Sequence, residues 1–422
     1  MVLKLAFCLP FLAFFLGCTD PERNNPTDPG SNNYISESSS SHTQSSSSDA
    51  DKPEPSSSSE MPFSSSEAGL PLSSSSSSSY IEQSSGSATT VTPVRTEEGT
   101  VLRGGNLATK LGWLERNTES HNTYILEMSA NDNSSSRTLQ YSGAIGVVII
   151  LKGDGGNRTI RFSSNGTMFT VKPNVTFILD NNITLQGHSQ NTGVLVNVDG
   201  GIFIMNTGAT ITGNTNAASY NAYGGGVYVG NGTFEMNGGT ISGNNAESGS
   251  GVYVSSGTTL KMNGGTISDN NGRGVNVNSG TFDMSGGTIS GNRGGGVLIR
   301  NGTFTMTDGV ISGNNANSGG GVYLDGYSGT FTMRGGAITG NTASEYGGGV
   351  YRNNGTFAKT GGIITGYNSD PTNGNVVKDG TGPMVRRGHA VYINAATRKE
   401  TTAESVDNLS ANGSTITGGW DE

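Results

Sequence analysis

The chain has 422 residues, a formal net charge of −9, 67 glycines and 32% hydrophobic residues. Glycine at that level without a strict three-residue period excludes a collagen-like fibre, and the length suffices for one large elongated domain. Residues 1–95 hold 10 Asp/Glu against 4 Lys/Arg, so 96–422 is nearly neutral, shows no basic stripe and gives no reason to expect a nucleic-acid partner.

At the N-terminus Lys4 precedes an apolar run from Leu5 to Leu16, which is too short to cross a membrane as a helix and reads as a targeting segment. Gly17-Cys18 closes it. This ending resembles the lipobox of bacterial lipoproteins, which implies a signal peptide over 1–17 and acylation of Cys18. Cys8 would leave with the signal, so Cys18 has no disulfide partner. Thr19 rather than Asp follows it. The resemblance then implies an outer-membrane protein, held by its lipid and displayed at the cell surface.

Residues 18–95 read as a tether. Ser31 to Ser87 contains 27 serines and cannot bury a core, so a disordered linker is expected. Its root-mean-square reach is about 40–45 Å.

Residues 96–199 form an N-terminal cap and irregular first turns. Over 106–117 Asn106 can cap a helix, and Leu107, Leu111 and Leu114 share a face beside Trp113. A solenoid's first turn exposes an apolar cross-section, and this helix is expected to cover it. Strand patterns follow at 124–128, 147–151, 159–162, 168–172 and 175–185.

Residues 200–366 carry the regular repeat. Gly232-Thr-Phe-Glu-Met-Asn-Gly-Gly-Thr-Ile-Ser-Gly-Asn244 recurs with small changes at 257–270, 280–292 and 302–314, and a Gly-Val-Tyr-Val phrase lies between copies. Alternating triplets separated by glycine predict three short strands per unit, and the period predicts stacked turns. The expected fold is all-β, a parallel β-helix of roughly ten turns with Phe, Met, Ile and Val inside. Phe (or Leu260) to Ile is always seven residues, as in 234→241 and 304→311. Asn to the next Val varies, as in 214→227 and 270→275, so one corner accepts insertions. Asn244, Asn270, Asn292, Asn314 and Asn341 share a register and predict an amide ladder. Residues 367–422 read as a long loop over 367–389 followed by C-terminal turns. Ile416 lies 52 residues after Ile364, two periods of 26, and Trp420 is placed to seal that end.

The Gly-Gly-Thr-Ile-Ser-Gly-Asn and Gly-Gly-Gly-Val-Tyr-Val phrases resemble those of bacterial surface proteins with right-handed, pectin-lyase-like β-helices. Gly335-Gly336-Ala337-Ile338 resembles the GGAI half of polymorphic outer-membrane adhesin repeats. The resemblance implies the right hand, and it speaks to fold more than to function.

Several enzymes share that fold, so a polysaccharide lyase or hydrolase is one alternative. The outward position between Phe and Met reads Glu235, Lys261, Asp283, Thr305, Thr332, Ala358, a mixed solvated face rather than a calcium site. Asp370, Asp379, Arg386, Arg387 and His389 are the one cluster suited to acid–base work, and a polar surface loop with turn residues is the favoured reading of them. His42, His121 and His188 are scattered without ligand spacing, so no metal, cofactor or catalytic residue is expected. Tyr228, Tyr253, Tyr323, Tyr351 and Tyr392 share an outward register that Asn276 and Leu298 interrupt. They form either a stripe for a polysaccharide or a neighbouring cell surface, or a stack that only stabilises the sheet. The expectation is a non-catalytic adhesion or binding rod, with a structural surface protein lacking a specific ligand as the other alternative.

Overall fold

The computed structural model describes residues 90–218, 222–380, 382–383, 387–394 and the strand Thr415–Thr417. The signal segment, Cys18, the serine tether, His42, Arg386 and Trp420 lie outside the described residues.

The described chain winds as a parallel β-solenoid with three ladders of strands. In the first, Phe177, Phe203, Phe234, Leu260, Phe282, Phe304, Phe331 and Phe357 lie directly on one another in register. All are buried, because two-residue alternation turns each inward while its neighbour faces water. From Phe282 to Phe357 the ring centroids are 4.6, 4.8 and 4.9 Å apart and within 7° of parallel, so ring spacing follows strand spacing. Each such side chain contributes about 1.5–3 kcal/mol by leaving water. Met205, Met236, Met262, Met284, Met306 and Met333 stack two positions on.

The second ladder is the 11-stranded sheet of Thr-Ile-Ser triplets, with Ile211, Ile241, Ile267, Ile289, Ile311, Ile338 and Ile364 stacked in one register. The third carries the Val-Tyr-Val strands, valines inward. Between the first and second ladders the chain turns at Gly-Gly. The second glycine has positive φ, +81° at Gly265, and a Cβ there would stand 2.7 Å from the Met236 methyl of the preceding turn. Glycine is required at that corner both for its backbone and for the space it leaves.

The amide ladder runs beyond the expected five asparagines. Asn214, Asn244, Asn270, Asn292, Asn314, Asn341 and Asn375 are fully buried, and from Asn214 on each backbone N–H donates to the Oδ1 of the next.

The helix Leu107–Asn117 forms as expected. Asn106 Oδ1 accepts the Thr109 N–H at 2.9 Å, and Leu107, Leu111 and Leu114 pack into the core at the first turn. Lys110 is buried as well, with Nζ donating to the carbonyls of Leu102 and Gly104. Ahead of the helix, Thr92–Thr96 pairs antiparallel with Gly99–Arg103, so the fold reaches back into the stretch assigned to the tether.

Two expectations need correction at the C-terminal end. Ile416 pairs in register with Ile364, and Tyr392 with Tyr351, so each pair is one turn apart, not two. The stretch 367–389 is not simply an interruption. Asn375 extends the amide ladder, and Val376–Asp379 pairs with Thr342–Tyr346 in a sheet at the variable corner. The core chemistry also changes here. Arg352 takes the place held by Leu324, and Lys359 that held by Met333, both buried.

Candidate binding face

The five expected tyrosines fall into two groups. Tyr228 and Tyr253 pair in register, as do Tyr323, Tyr351 and Tyr392, with Asn276 and Leu298 between the groups. The variable corner adds a sixth and a seventh that counting along the repeat missed. Tyr223 stacks on Tyr253 at 4.4 Å, and Tyr346 lies 4.7 Å from Tyr392 and 5.6 Å from Tyr351.

The rings stack along the solenoid axis. Tyr323 and Tyr351 are 5.0 Å apart and 11° from parallel, so each ring face between them is covered by the other. Tyr253 and Tyr351 are consequently buried. Such a column presents hydroxyl-bearing edges to a ligand, not open faces. Burial raises the hydroxyl pKa of Tyr253, Tyr323 and Tyr351, so the edges stay protonated. Tyr323 donates to Asp325 and Tyr351 to Asn353, each two residues on, while Tyr253 accepts from Asn278 Nδ2 of the following turn. Asn353 donates to Asp325, and Asn394 to Asn353, tying three turns together.

Insertions build the relief beside this column. Thr215–Asn216 pairs with Asn245–Ala246 in one corner sheet, while Asn315–Ser318, Thr342–Tyr346 and Val376–Asp379 form a second. At the two turns between, Asn reaches Val in only five residues, 270→275 and 292→297. The corner therefore has a notch two turns wide, about 10 Å at strand spacing. Leu298 and Asn276 lie in the same two turns, both buried. Arg273 lies across it, its guanidinium 5.3 Å from the Tyr323 ring centre, and Arg387 caps Tyr346 at 4.7 Å.

Four residues of the five-residue cluster are among the described residues, each with its own structural setting. Asp370 is partly exposed and accepts the backbone N–H of Asn373 and Thr372, which lowers its pKa and marks a turn. His389 is buried, its Nδ1 accepting the Val377 N–H at 2.9 Å, and burial lowers its pKa. Asp379 ends a corner strand opposite Gly382, and Arg387 is engaged by Tyr346. His188 binds the Ser164 carbonyl and stacks on Phe162. The mixed outward row behaves as a wet surface, with Lys261 and Glu235 paired at 3.0 Å. A separate cavity of about 450 Å³ lies under the N-terminal hairpin, lined by Arg95, Trp113, Arg116 and Tyr124.

No protein-family model matches the chain, and comparisons with curated proteins and with solved structures return no significant match.

Proposed function

We propose that the chain is a lipid-anchored outer-membrane protein whose solenoid serves as a non-catalytic adhesion or binding rod at the cell surface, with a glycan as its ligand class. The observation that carries this reading is the coincidence of the tyrosine columns with the corner whose length varies most. Three ladders hold the turns in register. The Asn-to-Val corner is free to differ, and the aromatic and cationic side chains gather there. The lipid attachment at Cys18 and the resemblance to surface adhesins remain part of the proposal.

Retention of the full-length chain on intact cells and on insoluble glycans tests it. Changing Tyr323, Tyr346 and Tyr392 to Ser should lower retention at least tenfold, while Cys18→Ala should release the protein from membranes. Unchanged retention would remove the reading. One observation favours a structural surface protein instead: the ring faces are already satisfied by one another. That alternative requires binding to be absent and repeat number alone to matter.

A further inference from the structure

We propose that the notch between the two corner sheets is an oxyanion site, in which Arg273 and Arg300 take a carboxylate or sulfate group carried on a glycan chain. The inference rests on the glycan-binding reading above and names the chemistry of its ligand.

Arg273 begins the argument. It stands two residues before Val275, where other turns carry Gly225, Ser250, Gly295, Gly320 and Gly348. Those positions face the corner, and a long side chain fits at 273 only because the next turn offers Gly295. A Cβ at Gly295 would stand 2.8 Å from Arg273 Nη1. The guanidinium thus crosses the following turn and ends over Tyr323. There Nη1 is buried and has no hydrogen-bond partner. A buried charged donor left without an acceptor is destabilising, and an arriving oxyanion removes that cost.

Arg300 supplies the second charge. It is exposed at the end of the strand Val297–Arg300, in the turn between Arg273 and Tyr323. Burial holds the Arg273 guanidinium down to about 10, and the Arg300 charge adds to that while Tyr323 and Asp325 oppose it. Arg273 stays cationic at neutral pH. Asp325, whose charge acts on Arg273, already accepts the Tyr323 hydroxyl and the Asn353 amide. Arg273 and Arg300 lie close enough for the charge of one to act on the other, and in these two turns the buried Asn276 Oδ1 is an acceptor that also lacks a partner. Planar guanidinium forks match the two oxygens of a carboxylate or sulfate, and partial burial strengthens each bond.

The walls suit a sugar. The half-buried Tyr323 ring offers apolar surface, and the Tyr253 hydroxyl and Asn278 offer hydrogen bonds at the rim. Neutral glycan units can follow the tyrosine edges while one acidic unit enters the notch.

Calorimetric titration of the full-length protein in detergent micelles with three oligosaccharides of equal length tests this: one carboxylated, one sulfated and one neutral. The expected result is at least tenfold tighter binding of one or both acidic probes, weakened by salt, with Arg300→Gln losing about tenfold. The carboxylated and sulfated arms identify which acid the site takes. Arg273→Gln should lose at least as much, and Lys261→Gln on another face should lose nothing. Arg300 is exposed, so its variant should unfold at the wild-type midpoint and keeps the test valid if Arg273→Gln is unstable. Equal binding of the neutral probe, or no loss in Arg300→Gln, overturns the oxyanion site and leaves the binding rod standing. Binding of none of the three overturns both.

Discussion

Asn292 holds Asn270 twice through one oxygen: its Oδ1 accepts the backbone N–H at 3.1 Å and the side-chain Nδ2 at 2.9 Å. Asn292 in turn donates to Asn314 at 2.9 Å and to the Ile267 carbonyl at 3.1 Å. All of these groups are buried, so the amide at 292 satisfies donors and acceptors on the turns before and after it. Replacing it with Ala leaves several unsatisfied at once. The expected cost is about 3 kcal/mol or more in urea unfolding. A loss under about 1 kcal/mol would mean that the ladder is incidental to stability.

Phe304 lies between Phe282 and Phe331, 4.6 and 4.8 Å from them, with no exposure. Phe304→Ala should cost about 3–5 kcal/mol, whereas Thr305→Ala, one residue along and facing out, should change stability by about 0.5 kcal/mol or less. Equal effects at the two positions would contradict the inward–outward assignment.

Lys359 occupies a methionine position, buried, with Nζ donating to the Gly362 carbonyl at 2.8 Å. Burial lowers its pKa to about 8, as it does for Lys110. The unfolded chain then binds more protons than the folded one between about 8 and the ordinary lysine value of about 10.4. Stability should rise as pH increases through that window and level off above it. Lys359→Met should restore the ladder, stabilise the protein at pH 7 by about 1–3 kcal/mol, and diminish the alkaline rise, with Lys110 left to supply the remainder. Unfolding midpoints from pH 7 to 10.5 check both statements.

His389 accepts the Val377 N–H through Nδ1, and burial lowers its pKa. Protonation removes that acceptor and places a charge under the corner sheet. The stability it contributes is present above the unfolded histidine value of about 6.5 and is lost as pH falls through it. Amide exchange at Val377 should therefore accelerate between pH 7 and 5. His389→Gln should exchange at a rate that does not change over that range beyond the intrinsic pH effect.

The ladders were legible because their chemistry is local. A seven-residue count from Phe to Ile crosses a Gly-Gly corner of fixed length, so side chains one turn apart can be aligned by counting alone. The variable corner destroys that count. Tyr223 and Tyr346 reach their partners from insertions of unequal length, and only the coordinates place them on Tyr253 and Tyr392. Asn375 was hidden for the same reason, since eight residues separate it from Gly366 where other turns run straight from Gly to Asn. Lys359 and Arg352 fall at core positions that counting reaches, but a long side chain there signals its burial only through its partners. The stripe of tyrosines was correct in register and incomplete in consequence: registry brought the rings together, and that contact covers the faces a sugar would use.

Binding by the variable corner is tested most directly by removing the corner. A full-length chain in which residues 315–321 and 342–349 are each cut to the four-residue length of 271–274 should keep all three ladders and lose the second corner sheet. Its retention on glycan-coated surfaces should fall at least tenfold below that of wild type, while replacing the outward Thr288 and Ser290 of the opposite ladder by Ala leaves retention unchanged. Wild-type retention by the cut chain would contradict the account.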